Sequence, residues 1–365
     1  MDMTKKIYLS LLIFAATSPL AAQLAGNGYY RVQNEVTKRY ISIIDNRGSI
    51  DVASTSADLG ALKTIRPYDE VVCDPSTIVY IEKKNSNEYN LAGQGTDAYK
   101  IIGHYLKINK VGNFYRAYQE KGATRTYLND IKTDSDYGKV LTNDSRTRDW
   151  NITPVTKDGC YFGVQPDVQA AGKYYASFFA GFPFNTCSQD MKVYYIDRVV
   201  KDQAVYKELT GVVPASTPVI VACVSDKPSD NKLDIVTSAA KAPADNLLRG
   251  IYFDNDNPVH YNRVSYDPAT MRVLGILSDG SLGFVTANID FIPANQMYLS
   301  VPAGTPAELK LVDADHVNAI GSVQADAASS DVYSLDGHMV RQQATGLDGL
   351  AKGIYIWKGR KHIVR

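Results

Sequence analysis

Carboxylates two residues apart are the first arrangement in this chain that could do chemistry: Asp254 with Asp256, followed by Asn257, and Asp313 with Asp315. Alternating carboxylates can offer hard oxygen ligands to calcium. Pro258 follows Asn257 with neither the loop glycine nor the closing glutamate of an EF-hand, so the first pair reads as a solvated loop. The second pair falls in a stretch rich in Ala, Asp and Ser and reads the same way. His104, His260, His316, His338 and His362 are scattered, and none is nominated as a general base. HExxH, G-x-S-x-G and Walker-type phosphate loops are absent from the sequence. Glycan hydrolysis by a pair of carboxylates ranks third, resting on Asp and Glu residues whose pairing only a fold decides. The chain is therefore expected to be noncatalytic and to need no metal or nucleotide cofactor.

Aromatic rings supply the positive hint. The chain holds 25 tyrosines, and a phenol, apolar on its faces and polar at its tip, suits a surface that stacks on sugars. Tyrosine also favours strands, where it packs half-buried. Along Asn113-Phe114-Tyr115-Arg116-Ala117-Tyr118, read as a strand, Phe114, Arg116 and Tyr118 share one face, while Tyr115, Ala117 and Gln119 share the other. Tyr115 and Ala117 suit a core. Arg116 is expensive to bury unpaired, which turns its face outward and exposes Tyr118 with it. Arg116 and Tyr118 are accordingly the candidate ligand-binding residues, with a glycan as the ligand, although Phe114 on that face needs a neighbouring loop to cover it. Trp150 is expected in the core.

More than one folded unit must hold these side chains, since 365 residues exceed the roughly 100–200 of an ordinary domain and a hydrophobic share of 45% is ample for packed cores. Lys plus Arg and Asp plus Glu both number 39, so overall charge points to neither nucleic acid nor an anionic membrane as partner. At the start, Lys5 and Lys6 precede the apolar run Ile7 to Ala16, and Pro19 leads to Ala21, Ala22 and Gln23. That is the pattern of a secretory signal over residues 1–22. The run is shorter than the roughly 20 apolar residues of a bilayer span. No cysteine stands near the cut to carry a lipid, and no later stretch is long and apolar enough for a transmembrane segment. Export to the cell surface, the exterior or the periplasm would place Cys73, Cys160, Cys187 and Cys223 where disulfides persist. Four cysteines permit three pairings. With no CxxC, a structural zinc or thioredoxin-type pair is not expected, and one or two disulfides stand level with buried thiols.

Period-two alternation and turn dipeptides dominate, which predicts an all-β chain. Met271 to Leu277, Ser278-Asp279-Gly280-Ser281 and Leu282 to Val285 read as a hairpin, because Asp-Gly supplies the positive φ of a tight primed turn. Val332 to Leu335 and His338 to Val340 repeat the pattern across Asp336-Gly337, and Ile354 to Trp357 with Lys358-Gly359 before Ile363 gives a third. Helix is expected only in short pieces, over Gln203 to Leu209 and Ala239 to Leu248. Within the chain, Val213-Pro214-Ala215-Ser216-Thr217-Pro218-Val219 resembles Ile292-Pro293-Ala294-Asn295-Gln296-Met297-Tyr298, and each copy leads into an apolar run. Proline cannot donate to a sheet ladder, and Ser or Asn two residues on suits a side-chain-supported turn. The two copies are read as one turn that launches a strand twice in a single β unit. Asp313 to Asp331 reads as a linker. Beyond Asp348, Lys352, Lys358, Arg360, Lys361 and Arg365 stand without an acid and read as an edge that discourages strand aggregation.

Gly28-Tyr29-Tyr30-Arg31-Val32-Gln33-Asn34 with Arg39-Tyr40-Ile41-Ser42, a later copy over Asn113 to Tyr118 and Thr126-Tyr127-Leu128, and a closing Asp149-Trp150-Asn151-Ile152-Thr153-Pro154-Val155 resemble a ricin-type β-trefoil. Arg148 stands where the closing Gln-x-Trp of sugar-binding members has Gln, so the resemblance implies the fold more than lectin activity. Val193-Tyr194-Tyr195 and Gly211 to Ala215, then Val273-Leu274-Gly275, Gly280, Gly283-Phe284, Ile292-Pro293-Ala294-Asn295 and Tyr298-Leu299, resemble a β module of secreted Bacteroidota proteins. That resemblance implies an exported accessory domain with no catalytic residues. Val332 to Gly337, Gly353-Ile354-Tyr355-Ile356 and the basic end resemble the last segment of type IX secretion sorting tails.

The expected layout is a signal over 1–22, a β-trefoil-like domain over 23–156 and a β-rich, sandwich-like module with the two Pro-Ala turns over 157–315. A linker over 316–330 and a C-terminal sorting-like hairpin segment over 331–365 complete it. The leading functional expectation is an exported, noncatalytic binding or adhesion protein that recognises glycans or other envelope components. The alternative is a structural or accessory envelope protein without a small ligand.

Overall fold

Strands dominate the computed structural model, which describes residues 24–43, 62–65, 71–95, 106–130, 141–142, 147–254, 256, 261–314, 330–334, 337–344, 346–357 and 360–364. The chain is all-β, built from several sheets. The expected signal and nearly all of the expected linker lie outside these residues.

The first strands are β1 (Gly28–Asn34), β2 (Tyr40–Ile43), β3 (Leu62–Ile65), β4 (Val79–Lys83), β5 (Glu88–Gly93), β6 (Leu106–Val111), β7 (Phe114–Lys121), β8 (Thr124–Leu128), β9 (Leu141–Thr142) and β10 (Trp150–Pro154). β1, β4, β5, β6, β7 and β10 pair antiparallel in that order, and β10 returns to β1, so the ring closes. The β2–β3 hairpin leaves β1, and β8 with β9 leaves β7. A closed ring with hairpins off alternate strands is a trefoil-like arrangement. Alternation puts Val32, Ile41, Val79, Ile81, Tyr89, Ile108 and Ala117 inside with Trp150. Phe253, from far along the chain, completes this core.

The middle of the chain contributes β11 (Phe162–Gly163), β12 (Val168–Ala170), β13 (Lys173–Phe178), β14 (Phe184–Thr186), β15 (Lys192–Val200), β16 (Gln203–Glu208), β17 (Val219–Cys223) and β18 (Lys232–Ile235). It continues with β19 (Leu248–Gly250), β20 (Val264–Ser265), β21 (Met271–Ile276), β22 (Leu282–Val285), β23 (Phe291–Ile292), β24 (Met297–Ser300) and β25 (Glu308–Asp313). A ten-stranded sheet runs β12-β13-β17-β15-β16-β25-β22-β21-β24-β19, with β16 and β25 parallel. It curls into a half-barrel that brings β12 against β21 and β13 against β24. At the seam, Ser177 Oγ donates to the Met297 carbonyl at 3.1 Å and accepts from its N–H at 3.0 Å. Val219 and Val221 face a core shared with the three-stranded sheet β11-β18-β14, while Ile220 faces the half-barrel interior. Burial on both faces explains why β17 reads as a continuous apolar run.

Both Pro-Ala turns launch strands of this one sheet, β17 and β24. Ser216 and Asn295 occupy the same left-handed conformation, with φ of 59° and 60°. The copies then diverge in what they hold. Ser216 Oγ bonds the Tyr252 hydroxyl, whereas Asn295 Oδ1 accepts from Gln94 Nε2 at 3.0 Å, and Gln94 Oε1 takes the Gly181 N–H at 2.6 Å. The second turn thus docks the trefoil-like unit onto the middle one.

Neither expected helix forms. Gln203 to Glu208 is β16, because its backbone is claimed by β15 on one side and β25 on the other, a long-range pairing that overrides local helix propensity. Ala239 to Leu248 is an exposed loop that ends in β19, and Pro243 at its centre removes a donor a helix would need. The expected Asp-Gly hairpins do form, but in the first only Gly280 and not Asp279 takes positive φ. Leu277 closes with Ser281 over three residues, so the turn is not the tight primed one expected. β21 pairs β22 around Gly280 at φ 81°, and β26 (Ser330–Ser334) pairs β27 (Met339–Ala344) with Gly337 at φ 87°. β28 (Gly353–Trp357) pairs β29 (Arg360–Val364), and the order β27-β26-β28-β29 merges the C-terminal hairpins into one sheet over Val332, Ala344 and Tyr355.

Candidate functional site

β7 carries the two residues its alternation singled out. Ala117 is buried in the trefoil-like core and Tyr115 packs against it, so Arg116 and Tyr118 face away from that core. That outer face is not open, which corrects the expectation of an exposed platform: Tyr118 is only 3% exposed. Tyr127, its cross-strand neighbour, lies 5.4 Å away between ring centroids, and the Arg125 guanidinium sits 4.9 Å over the ring. Asn109 Nδ2 donates to the Tyr118 hydroxyl at 2.9 Å. Long side chains of neighbouring strands have folded over the ring, as amphipathic stems and cations over aromatics tend to do. Arg116 is engaged by Asp149, with Nε to Oδ1 at 2.5 Å. Arg148, at the position that departs from the lectin pattern, stacks 4.9 Å over Tyr127.

The half-barrel opens elsewhere into a cavity of 320 Å³, lined by Lys173 and Tyr175 of β13, Tyr194 of β15, Tyr206 of β16, Ile220 of β17, Ser281, Leu282 of β22, and Lys310 and Leu311 of β25. The two-residue period builds it. Tyr194, Tyr206, Leu282 and Leu311 stand two positions from Ile196, Ala204, Phe284 and Leu309, which are fully buried in the interior. One step outward along the same faces, each side chain reaches the mouth and is half-buried. The rings of Tyr194 and Tyr206 meet edge to face, with centroids 4.9 Å apart.

Polar groups ring this aromatic lining. Asp313 is aligned with Tyr206 across the parallel pair, and after burial its negative charge is the next cause that raises the Tyr206 phenol. Glu208, opposite Tyr194, pairs with Lys192 at 3.0 Å. Lys173 stands exposed on the rim. Burial first, then the Glu208 carboxylate, pushes the Tyr194 phenol up to about 12, and burial also raises Tyr175 and Tyr206. All three therefore stay protonated at neutral pH and can donate hydrogen bonds. Aromatic faces, hydroxyl donors and carboxylate acceptors around a concavity are equipment for binding a hydroxylated, partly apolar ligand.

The remaining candidates are otherwise engaged. Asp254 Oδ2 accepts from the Ala294 N–H at 3.2 Å, and Asp256 pairs with Arg263 at 3.3 Å. Asp313 closes β25, which corrects its reading as part of a solvated linker. Asn257, Asp315, His104, His260 and His316 lie outside the described residues, and His338 and His362 belong to the C-terminal sheet region. Among the described residues no group of three or more His, Cys, Asp or Glu could hold a metal ion, and no helix is long and apolar enough to cross a membrane. No disulfide joins Cys73, Cys160, Cys187 or Cys223. Burial, reinforced by Asp167, pushes the Cys223 thiol up to about 12, which leaves it little thiolate with which to react.

No family model matches the chain, and no curated protein matches it. Among solved structures, that of a mosquitocidal holotoxin is similar over 76% of this chain and 35% of its own, at 11% identity and a TM-score of 0.26. The chain spans about a third of that toxin's length. A likeness of this degree assigns neither fold nor activity.

Proposed function

We propose that this chain is an exported, noncatalytic binding protein that takes a glycan at the mouth of the half-barrel. One observation carries the reading: Tyr175, Tyr194 and Tyr206 converge on a single concavity beside Asp313. A sugar ring presents an apolar face for the phenols and hydroxyls for the carboxylate and phenol tips. The secretory pattern at the start of the sequence supports export, and its end supports a sorting role for the C-terminal sheet. Envelope or extracellular glycans are then the ligands within reach.

Two outcomes follow. The mature chain recovered from exported material is expected to begin at Gln23 by mass spectrometry, and an intact Met1 there refutes the signal. On a glycan array, Tyr206→Ala is expected to weaken binding at least about tenfold, or about 1.4 kcal/mol, with the β-rich circular dichroism spectrum retained. Tyr206→Phe keeps the ring and loses only the hydroxyl, so its loss is smaller. Full binding by Tyr206→Ala removes the mouth as the site.

A further inference from the structure

The mouth leads nowhere. Beneath the tyrosines the half-barrel is filled by Ile196, Ala204, Ile220, Phe284 and Leu309, each at most 1% exposed. Ile220 is also part of the cavity lining, and so forms its floor. The walls rise from β13, β15, β16, β25 and β22, leaving the rim as the way in. The volume of 320 Å³ stands at the small end of ligand pockets, roughly 300–1,000 Å³.

From this blind shape we infer that the site selects the terminal residue of a glycan and excludes residues inside a chain, an inference that rests on the glycan reading above. A sugar within a chain carries a linkage on each side of its ring. Seating it against the floor needs two exits, and the packed interior denies the second. A terminal sugar has a single linkage, which can point out past Lys173 and the Lys192–Glu208 pair on the rim. Its ring then lies over the apolar floor at Ile220, and its hydroxyls meet the Tyr194 and Tyr206 phenols at the mouth. Binding of this kind buries a whole ring, so the ring faces, more than the chain's repeat, decide recognition.

The test uses the full mature chain on an array that presents the same sugars both at chain ends and in chain interiors. The bound set is expected to share a terminal residue. Adding one further sugar to that end is expected to reduce binding at least tenfold, and the methyl glycoside of the terminal sugar is expected to compete. Tyr206→Ala is expected to weaken binding of that terminal sugar without opening the site to chain interiors. Ligands that share only an internal sequence, or an endless cyclic oligosaccharide bound as well as its linear form, would each overturn the inference while leaving glycan binding intact. A chain that binds no glycan on the array refutes the glycan reading itself and the inference with it.

Discussion

Arg31→Ala is expected to lower stability by about 3–5 kcal/mol, the scale of breaking a buried charged network. Arg31 alternates outward from the trefoil-like ring, yet only 1% of it is exposed, because the segment from Val71 to Thr77 of its own unit and Cys160–Tyr161 of the middle unit enclose its guanidinium. Its Nη1 donates to the Tyr161 carbonyl at 2.6 Å, its Nη2 to Val71 and Val72 at 3.1 and 3.2 Å, and its Nε to Thr77 Oγ1 at 3.3 Å. Without the guanidinium those carbonyls lose their donor in a dry place, at about 1–3 kcal/mol for each one left unsatisfied. Arg31→Lys recovers only part of this, since an ammonium cannot fork to both sides.

The effect also depends on pH. Burial raises the Asp74 carboxyl above the usual carboxylate range, and the charge of Arg31 opposes that rise. A carboxyl with a raised folded pKa contributes stability at low pH that is lost as pH climbs through that value. Removing Arg31 raises it further, so the variant's deficit should be larger at pH 7 than at pH 4. Urea unfolding at both values measures this, and a deficit under 1 kcal/mol at pH 7 contradicts it.

Trp150→Ala should cost a similar amount, about 3–5 kcal/mol. Trp150 starts the strand that closes the ring, aligned with Asn34 of β1 and with Tyr115 of β7. Its side chain is 1% exposed and its Nε1 donates to the Leu128 carbonyl at 2.9 Å. Truncation leaves a cavity where the two ends of the ring meet and a carbonyl without its partner. Trp150→Phe keeps most of the packing and should cost about 1–2 kcal/mol, chiefly the lost hydrogen bond. Denaturant titration of the three proteins checks the order, and a Phe variant as unstable as the Ala variant would show that the hydrogen bond outweighs the cavity.

Features set by neighbours in sequence were legible in the sequence. The Asp-Gly hairpins follow from backbone conformations that few residues adopt, and the Pro-Ala repeat emerged as two turns with the same left-handed residue. Alternation placed Tyr118 on the correct side of β7. Its exposure was not legible, because Arg125 and Tyr127, on the next strand, decide it. The same limit hid the mouth. Tyr175, Tyr194, Tyr206 and Asp313 become neighbours only through the curl of the sheet and the parallel pairing of β16 with β25, neither of which leaves a local mark. The only local trace was spacing, with Tyr194 two residues before Ile196 and Tyr206 two after Ala204.

Phe253 sits in the core of the trefoil-like unit, and Ile78, from that unit, sits fully buried in the core of the middle one. Each unit has lent the other a piece of its interior. Unfolding either one therefore strips a core residue from its neighbour, and the Gln94 and Arg31 bonds break in the same event. The pair is expected to melt as a single cooperative unit, since residues 24–156 expressed alone lack the Phe253 side chain of their core.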